Sequence, residues 1–567
     1  MTPSRNRVAL IALHAGYSHT SLALRSMAAY ARIQGGPHEI RLFESLANTN
    51  HQVLIESLAD YDPALIGFST YLWNIDASLH LARVCKQLLP GCAILLGGPE
   101  AGPRGETLLQ QVADVDYVIA GEGEAALTQL MQCMFGGADD WEGVSGLIHR
   151  RDGQLISNPV QAVPVETIPS LAEQGIAGEE KSLVYWETSR GCPYRCSFCS
   201  SATETLRAFP LPRVLSDLAL LESLRDKTVK LLDRSFHLGK QRTTELLQRF
   251  AESPSGLRFH LELNPDRIST EAMDIFRAAE PGKFQFEIGL QSLDDQVLMR
   301  IDRRMDVHKA LENIRALVEQ RRHPVHLDLI VGLPGEDAQQ CAESLDRTFL
   351  LYPDHLQLGT LKLLPGTPLA QQAHSLGYRW DPQPPYEVLS HPQLAFDELV
   401  LFKRYAELLE RLYNSGYLRN TLAGLVTTCF GNSLCACFDL LLAESGLGLV
   451  RDNLQPDRLF EPLSRFVESF IADNPLLEEW LLWDYAQFSL VTSKTPGWIA
   501  ERLRENDRFV VQGSRRRLPI LHLSAQAVDM INRQSGLNLV AGRYAVWPRQ
   551  HKKGVPVEII PVEQPEP

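Results

Sequence analysis

The sequence predicts an α/β protein with two parallel-sheet domains in series, followed by a mainly helical third domain. Three observations predict it. Residues 7–135 alternate apolar runs with amphipathic stretches. Residues 181–375 repeat that alternation in six strand-helix units. Beyond residue 376 the alternation gives way to longer amphipathic segments. Continuous apolar runs between helical stretches mark strands buried on both faces, as parallel strands are. A length of 567 residues fits three or four domains.

The first series reads "RVALIAL", "HEIRLFES", "ALIGFST", "CAILLGG" and "DYVIAG". Its five units predict one doubly wound, Rossmann-like domain over residues 1–140. Residues 144–159, "VSGLIHRRDGQLISNP", read as a β-hairpin turning at Asp152-Gly153. With "VPVETIPSLAEQG" they make a hairpin and linker over 141–180. The second series reads "SLVYWETSRG", "VKLLDRSF", "RFHLELNPD", "FQFEIGLQS", "HLDLIVGLPGE" and "HLQLGTLKLLPGTPL". Six units over 181–375 predict a partial (β/α)6 barrel. A closed barrel has eight units, so one side is open and must be covered. In residues 376–567, "LAFDELVLFKRYAELLERLYNSG" predicts a helix stopped at Gly416. Leu399, Phe402, Leu409 and Leu412 form its apolar face. Further helices follow, then strand-like runs. The tail "EQPEP" reads as disordered. The C-terminal domain is expected to cover the open side of the barrel.

The net charge is −14 and no Lys/Arg block stands out, which argues against a nucleic-acid partner. No apolar run reaches the ~18 residues of a membrane-spanning helix. The N-terminus reads as a short tail and a strand rather than an export signal. Ten cysteines without such a signal imply reduced thiols in a cytoplasm.

Three of those cysteines carry the chemistry. In "SRGCPYRCSFCSS", Cys192, Cys196 and Cys199 are spaced C-x3-C-x2-C just after the first predicted barrel strand. Active sites of such barrels lie at the carboxyl ends of their strands. Structural zinc closes with four ligands. Three thiolates from one loop suit three irons of a [4Fe–4S] cube and leave the fourth open for a small molecule. Phe198 lies beside Cys199, where it can shield a cluster from water.

This pattern resembles the signature of the radical S-adenosylmethionine (radical SAM) enzymes. The resemblance implies that the methionine portion of S-adenosylmethionine chelates the open iron, and that cleavage yields a 5′-deoxyadenosyl radical. "FEIGLQS" is similar to the family's fourth-strand segment, which implies cofactor contacts for Gly289, Gln291 and Ser292. "LDLIVGLPGED" is similar to the fifth, which implies adenine contacts for Gly332 and Pro334. Asp233 and Glu262 end strands two and three as candidates for cofactor or substrate contacts; for these and the other polar barrel residues, simple strand capping or solvation is the alternative reading. The usual second-strand G-G-E-like motif is replaced by "DRSF".

In a doubly wound sheet, ligands bind beyond the carboxyl ends of the strands. Those ends read "HAGYSHTS", "FSTYLWN", "GGPE" and "GEGE". "DYVIAGEGEAALTQL" carries a G-x-G-x-x-A dinucleotide-like pattern. It follows the last strand of the domain, however, and its glutamates would meet a pyrophosphate. The segments are more similar to the cobalamin-binding domain that precedes many radical SAM barrels. That resemblance implies cobalamin contacts for Ser69, Thr70, Gly97, Gly98, Pro99, Glu100, Gly121, Glu122, Gly123 and Glu124. The glutamates could instead cap helices. The D-x-H-x-x-G motif of a cobalt-ligating histidine does not fit "ALHAGYSHTSL", so neither His14 nor His19 is expected to bind cobalt. The last third resembles a C-terminal domain of unknown function found in one subfamily. Its Cys429, Cys435 and Cys437 could bind a second cluster, but small apolar thiols in a helix core is the expected reading.

Together these resemblances imply a cobalamin-dependent radical SAM methyltransferase. One S-adenosylmethionine would methylate cobalamin, and a second would generate the radical that activates an unreactive carbon. Two alternatives stand beside it: ring formation or rearrangement with the same cofactors, and a cobalamin- or redox-sensing protein with a structural cluster. Formation of 5′-deoxyadenosine separates enzyme from sensor. The implied partners are a small-molecule or peptide substrate and an external electron donor of flavodoxin or ferredoxin type.

Overall fold

The computed structural model describes residues 6–35, 39–236, 239–254, 256–444, 456–489, 495–505, 508–510, 517–548 and 557–562. Its first sheet contains β1 (Arg7–His14), β2 (Glu39–Leu46), β3 (Leu65–Ser69), β4 (Ala93–Gly97) and β5 (Tyr117–Ile119), then β6 (Leu147–Arg151) and β7 (Gln154–Ser157). The order is β2-β1-β3-β4-β5-β6-β7. The first five strands run parallel. Chain order reverses between β1 and β3, which makes their carboxyl ends a ligand crevice.

Alternate residues of β1 serve the two faces. Val8, Leu10 and Ala12 pack under α1 (Leu22–Gln34) and α5 (Gly123–Phe135). Ala9, Ile11 and Leu13 pack under α2 (Gln52–Tyr61), α3 (Ile75–Leu88) and α4 (Gly105–Gln111). Cover on both sides is why this strand reads as an unbroken apolar run. The hairpin assigned to the linker adds to this sheet instead, β6 pairing antiparallel with β5. Asp152 (φ 50°) and Gly153 (φ 79°) make its left-handed turn.

The second sheet starts with β8 (Leu183–Trp186). A short pair, β9 (Ser189–Arg190) with β10 (Arg207–Ala208), brackets the cysteine loop. Then come β11 (Lys227–Leu231), β12 (Leu257–Leu263), β13 (Phe284–Gln291), β14 (Val325–Val331) and β15 (His355–Thr360). All six main strands are parallel and adjacent in chain order, a (β/α)6 arrangement with β8 and β15 at its edges.

Three parts of the chain cover those edges, where the C-terminal domain alone was expected. Beside β8, the Tyr185 amide donates to Ala177 O of the linker at 3.2 Å. Beside β15, the Asn414 side chain accepts from Leu356 N and donates to Leu356 O, both at 3.0 Å. Asn414 ends a π-helical stretch, Leu409–Asn414, that continues the helix Phe396–Leu408. The strand-end loops of the first domain reach both ends of the gap. Pro103 lies against Gly366 beyond β15, and Glu122 and Glu124 reach Arg190 beyond β8.

Leu399, Phe402, Leu409 and Leu412 are buried, and Gly416 (φ 82°) ends the segment. Further helices include Leu476–Phe488, followed by a four-stranded antiparallel sheet from Arg508–Val510 to Glu558–Pro561. Residues 563–567 of the tail lie outside the described residues. Among the described residues no helix is long and apolar enough to cross a membrane.

Candidate functional site

The loop after β8 turns on Gly191 (φ 78°). A Cβ there would stand 2.3 Å from Thr205 O, so only glycine lets the loop close over residues 205–206. Asp233 fixes the strand end before it. Its carboxylate accepts from Thr188 N at 2.8 Å, Thr188 Oγ1 at 2.6 Å and Ser189 Oγ at 2.5 Å. Burial pushes its pKa up to about 6, and the Ser189 and Thr188 donors oppose the rise. Asp233, expected to face cofactor or substrate, is spent on holding the cysteine loop.

Cys192, Cys196 and Cys199 line one cavity of about 210 Å³ at the carboxyl end of the barrel. Burial raises the Cys192 and Cys199 thiols, while the Ser201 N–H, 3.4 Å from Cys199 Sγ, opposes the rise at Cys199. Buried thiols need a cation to become thiolates, and a coordinating metal supplies one. Among the described residues no three His, Cys, Asp or Glu converge on a single ion. A cluster has no need of such convergence, because each thiolate meets its own iron. Phe198 lines the same cavity.

Groups suited to a bound molecule surround the cysteines. Arg303 Nη1 lies 3.6 Å from Cys196 Sγ, and Nη2 reaches Asn264 Oδ1 at 3.3 Å and Gly289 O. Arg303 Nε and Gln291 Oε1 are buried without hydrogen-bond partners among the described residues. Gln291 holds a left-handed φ of 70° at a register shift in β13. A donor and an acceptor left unpaired beside three thiols fit a polar ligand bound in this cavity.

Glu262, Glu287 and Asp328 line the cavity as well. Burial, then repulsion from Glu287, pushes Glu262 up to about 7. Glu287 is held down to about 2 by the hydrogen bond from His260, with Lys230 adding to it despite burial. His260 Nε2 stands 2.7 Å and Lys230 Nζ 3.2 Å from its carboxylate. Sequence reasoning missed Glu287, Asp328, Arg234, Asn264 and Arg303. A signal existed: in "FQFEIGLQ", residues 285, 287, 289 and 291 alternate with buried apolar ones. In a barrel strand that alternation aims the less apolar set at the lumen.

Of the expected barrel contacts, Glu262, Gly289 and Gln291 line the cavity. Ser292 is fully buried and donates to Glu336 at 2.6 Å. Gly332 O accepts from Tyr378 Oη at 3.0 Å, and Pro334 lines a separate groove beside Tyr378 and His391. These three are built into the fifth-strand loop and its packing.

In the first domain, Thr70 Oγ1 donates to Gly97 O at 2.8 Å and accepts from Ala101 N at 3.0 Å. Ser69 is buried and Pro99 is exposed. A Cβ on Gly97 would meet nothing closer than Ile119 O at 3.8 Å, which leaves open space at the strand end; Gly98 (φ 104°) turns the chain there. The glycines at 121 and 123 serve packing instead, against Val160 and Met27. Tyr71 and Trp73 stack at 4.5 Å on the loop after β3, and Trp73 is half exposed. Open glycine backbone beside a flat aromatic surface fits a large planar macrocycle.

The three glutamates, expected as cobalamin contacts, are taken by protein partners. Glu100 is buried, paired with Arg104 at 2.6 Å and hydrogen-bonded by Tyr386 Oη. Glu122 accepts from Val163 N at 2.7 Å and pairs with Arg190 and Arg207. Glu124 pairs with Arg190 at 2.6 Å and accepts from Ser26 Oγ at 2.8 Å. His14 Nε2 lies 3.6 Å from Glu44, and His19 Nδ1 meets Tyr185 Oη. Cys435 and Cys437 are buried in the core, where burial raises their thiols.

Comparison with known proteins matches this division of the chain. Residues 8–131 match the B12 binding domain, 186–348 the radical SAM superfamily, and 374–534 a protein family of unknown function, DUF4080. The cobalamin-dependent radical SAM methyltransferase TokK of Streptomyces tokunonensis is 26% identical over 62% of this chain and 55% of its own. The anaerobic magnesium-protoporphyrin IX monomethyl ester cyclase of Cereibacter sphaeroides is 22% identical over 57% of this chain and 55% of its own. The chain thus spans about half the length of these curated relatives. Among solved structures, the cobalamin-dependent S-adenosylmethionine radical enzyme OxsB with aqua-cobalamin bound shares the fold. Its TM-score is 0.58 at 14% identity, covering 84% of this chain and 79% of its own.

Proposed function

We propose that this chain, in which residues 8–131 match the B12 binding domain and residues 186–348 the radical SAM superfamily, is a cobalamin-dependent radical SAM enzyme that methylates an unactivated carbon of a polar substrate. The observation that carries the reading is the cavity where three cysteines of one loop meet Gln291, Arg303 and Glu262.

Cys192, Cys196 and Cys199 hold the cluster in this reading. Gln291, Arg303 and Glu262 hold S-adenosylmethionine, and the loops around Gly97, Gly98, Tyr71 and Trp73 hold cobalamin. Bound there, these groups supply one-electron cleavage, hydrogen abstraction and the transferred methyl. The chain's own work is placement and exclusion of water. The Arg303 guanidinium, poised beside Cys196, offers its unpaired Nε–H to a carboxylate. Glu262, pushed up by burial and by Glu287, offers an acceptor when ionised and a donor when protonated to a hydroxyl or amine. Phe198 walls the cysteines from solvent. The charged lumen around Glu287, Asp328 and Lys230 favours a substrate with polar groups over a bare hydrocarbon. An external one-electron donor completes the requirement.

The test uses reduced, fully reconstituted enzyme, methyl-labelled S-adenosylmethionine and a small-metabolite extract. The expected outcome is a labelled product with S-adenosylhomocysteine and 5′-deoxyadenosine in roughly equal amounts. A new unlabelled product formed with 5′-deoxyadenosine would replace methyl transfer by cyclisation or rearrangement, the chemistry of the cyclase relative.

A further inference from the structure

Three carboxylate-guanidinium contacts, two made by Arg190 and one by Arg207, join the cysteine loop to the first domain. Arg190 sits on β9, two residues before Cys192. Its guanidinium meets Glu187 at 2.8 Å, Glu124 at 2.6 Å and Glu122 at 3.2 Å. Arg207, opposite Arg190 in the β9–β10 pair, binds Glu122 too. The Arg190 side chain is 15% exposed and that of Glu124 is 4% exposed. Glu122 and Glu124 open α5, at the carboxyl end of β5, on the face where the first domain's strands end.

A buried ion cluster of this kind is poor evidence of stabilisation, since desolvation offsets most of the attraction. Its specific property is geometry. A planar guanidinium bound on several edges holds its partners in one arrangement, which a flexible lysine does not. The cluster loop and the strand-end face of the first domain therefore cannot shift relative to each other without breaking these contacts.

We infer that Arg190 is a positioning residue that fixes the distance between the iron–sulfur cluster and the cobalamin. It touches neither. This rests on the proposed cofactor pair. One site at the cluster must serve two S-adenosylmethionine molecules in turn: one gives its methyl to cobalt and the other forms the radical. Methyl donation depends on how far the cobalt stands from that cavity, whereas radical formation depends on the cluster alone. A displacement on the order of 1 Å is enough to cost ~10²-fold in a positioned reaction.

The test reconstitutes the full chain with iron, sulfide and hydroxocobalamin. It compares the parent protein with Arg190→Gln, Arg190→Lys and Glu124→Gln. Cofactor content is measured first. Spin–spin coupling between the reduced cluster and Co(II) is then read by pulsed EPR, and S-adenosylhomocysteine and 5′-deoxyadenosine are quantified with dithionite and S-adenosylmethionine. The expected result is a narrow cluster–cobalt distance in the parent. In Arg190→Gln that distance is broadened or shifted with both cofactors still bound, and the ratio of S-adenosylhomocysteine to 5′-deoxyadenosine falls about tenfold or more. Arg190→Lys should fall between, and Glu124→Gln, which keeps its bond to Ser26, should change the distance in the same direction. Unchanged coupling and ratio in cofactor-replete Arg190→Gln or Glu124→Gln would overturn the inference. A parent protein that binds no cobalamin would overturn the proposed cofactor pair, and the inference with it.

Discussion

The strand-end loops of the barrel and those of the first domain present similar polar residues but use them in opposite ways. In the barrel, Gln291 Oε1 and Arg303 Nε are buried without partners among the described residues, beside three thiols. In the first domain, Glu100, Glu122 and Glu124 are each engaged by arginine. Unpaired buried groups cost folding energy unless a ligand completes them. Groups already paired contribute to placing one domain on another. The difference teaches that a charged motif at a strand end reads as a binding site only once its partners are counted.

Five variants probe that contrast, in order of expected effect. Replacing Cys192, Cys196 and Cys199 together by Ala removes all three ligands and should abolish the iron–sulfur absorbance of anaerobically purified protein. Retention of about four irons per chain would place the cluster elsewhere. Arg303→Gln should raise the KM for S-adenosylmethionine about 10- to 100-fold, the worth of a lost hydrogen bond to a charged group. An unchanged KM would take Arg303 out of the cofactor site. Glu100→Gln, on the engaged side, should lower stability by about 1–2 kcal/mol and shift the denaturant midpoint. Its cobalamin affinity should stay within about twofold, because the Glu100 carboxylate already faces Arg104 and Tyr386. A selective loss of cobalamin affinity would return Glu100 to the ligand.

The smallest effect is pH-dependent. Burial and Glu287 raise Glu262 from the ordinary 4.5 to about 7. The folded state therefore binds a proton that the unfolded chain releases. That contribution is complete below about 4.5 and is lost as pH rises through 7. Glu262→Gln should leave the cofactor-free protein relatively more stable above pH 7 than at pH 5. Glu287→Gln should show the opposite trend. Glu287 is lowered to about 2, so its stabilisation is present above 4.5 and lost as pH falls toward 2. Denaturant midpoints from about pH 2 to 8.5 span both windows, and parallel pH curves for the two variants would contradict the assignment.

Much of the architecture was legible because each strand is a continuous apolar or alternating run. "FQFEIGLQ" states both its strand and its inward face. The cysteine loop was legible because its three ligands are local in sequence. The Arg190 link to the first domain was not, since Glu124 and Glu122 lie 66 and 68 residues away and only the folded chain brings them together. Asp233 misled because a strand-end aspartate looks the same whether it meets a ligand or the Thr188 and Ser189 hydroxyls. The hairpin at Asp152-Gly153 announced its turn, but sequence gave no sign of which sheet its edge would join. Ser292 likewise reads as a cofactor contact until the buried Glu336 appears beside it.

The central claim is that three cysteines hold a cluster with one open iron. Titrating S-adenosylmethionine into the reduced, iron-reconstituted protein tests it most directly, read by the EPR of the cluster and by 5′-deoxyadenosine. The expected result is a cluster signal that shifts on addition of S-adenosylmethionine, with 5′-deoxyadenosine formed only when reductant is present. A protein with about four irons per chain whose signal does not move, and which forms no 5′-deoxyadenosine, would contradict it.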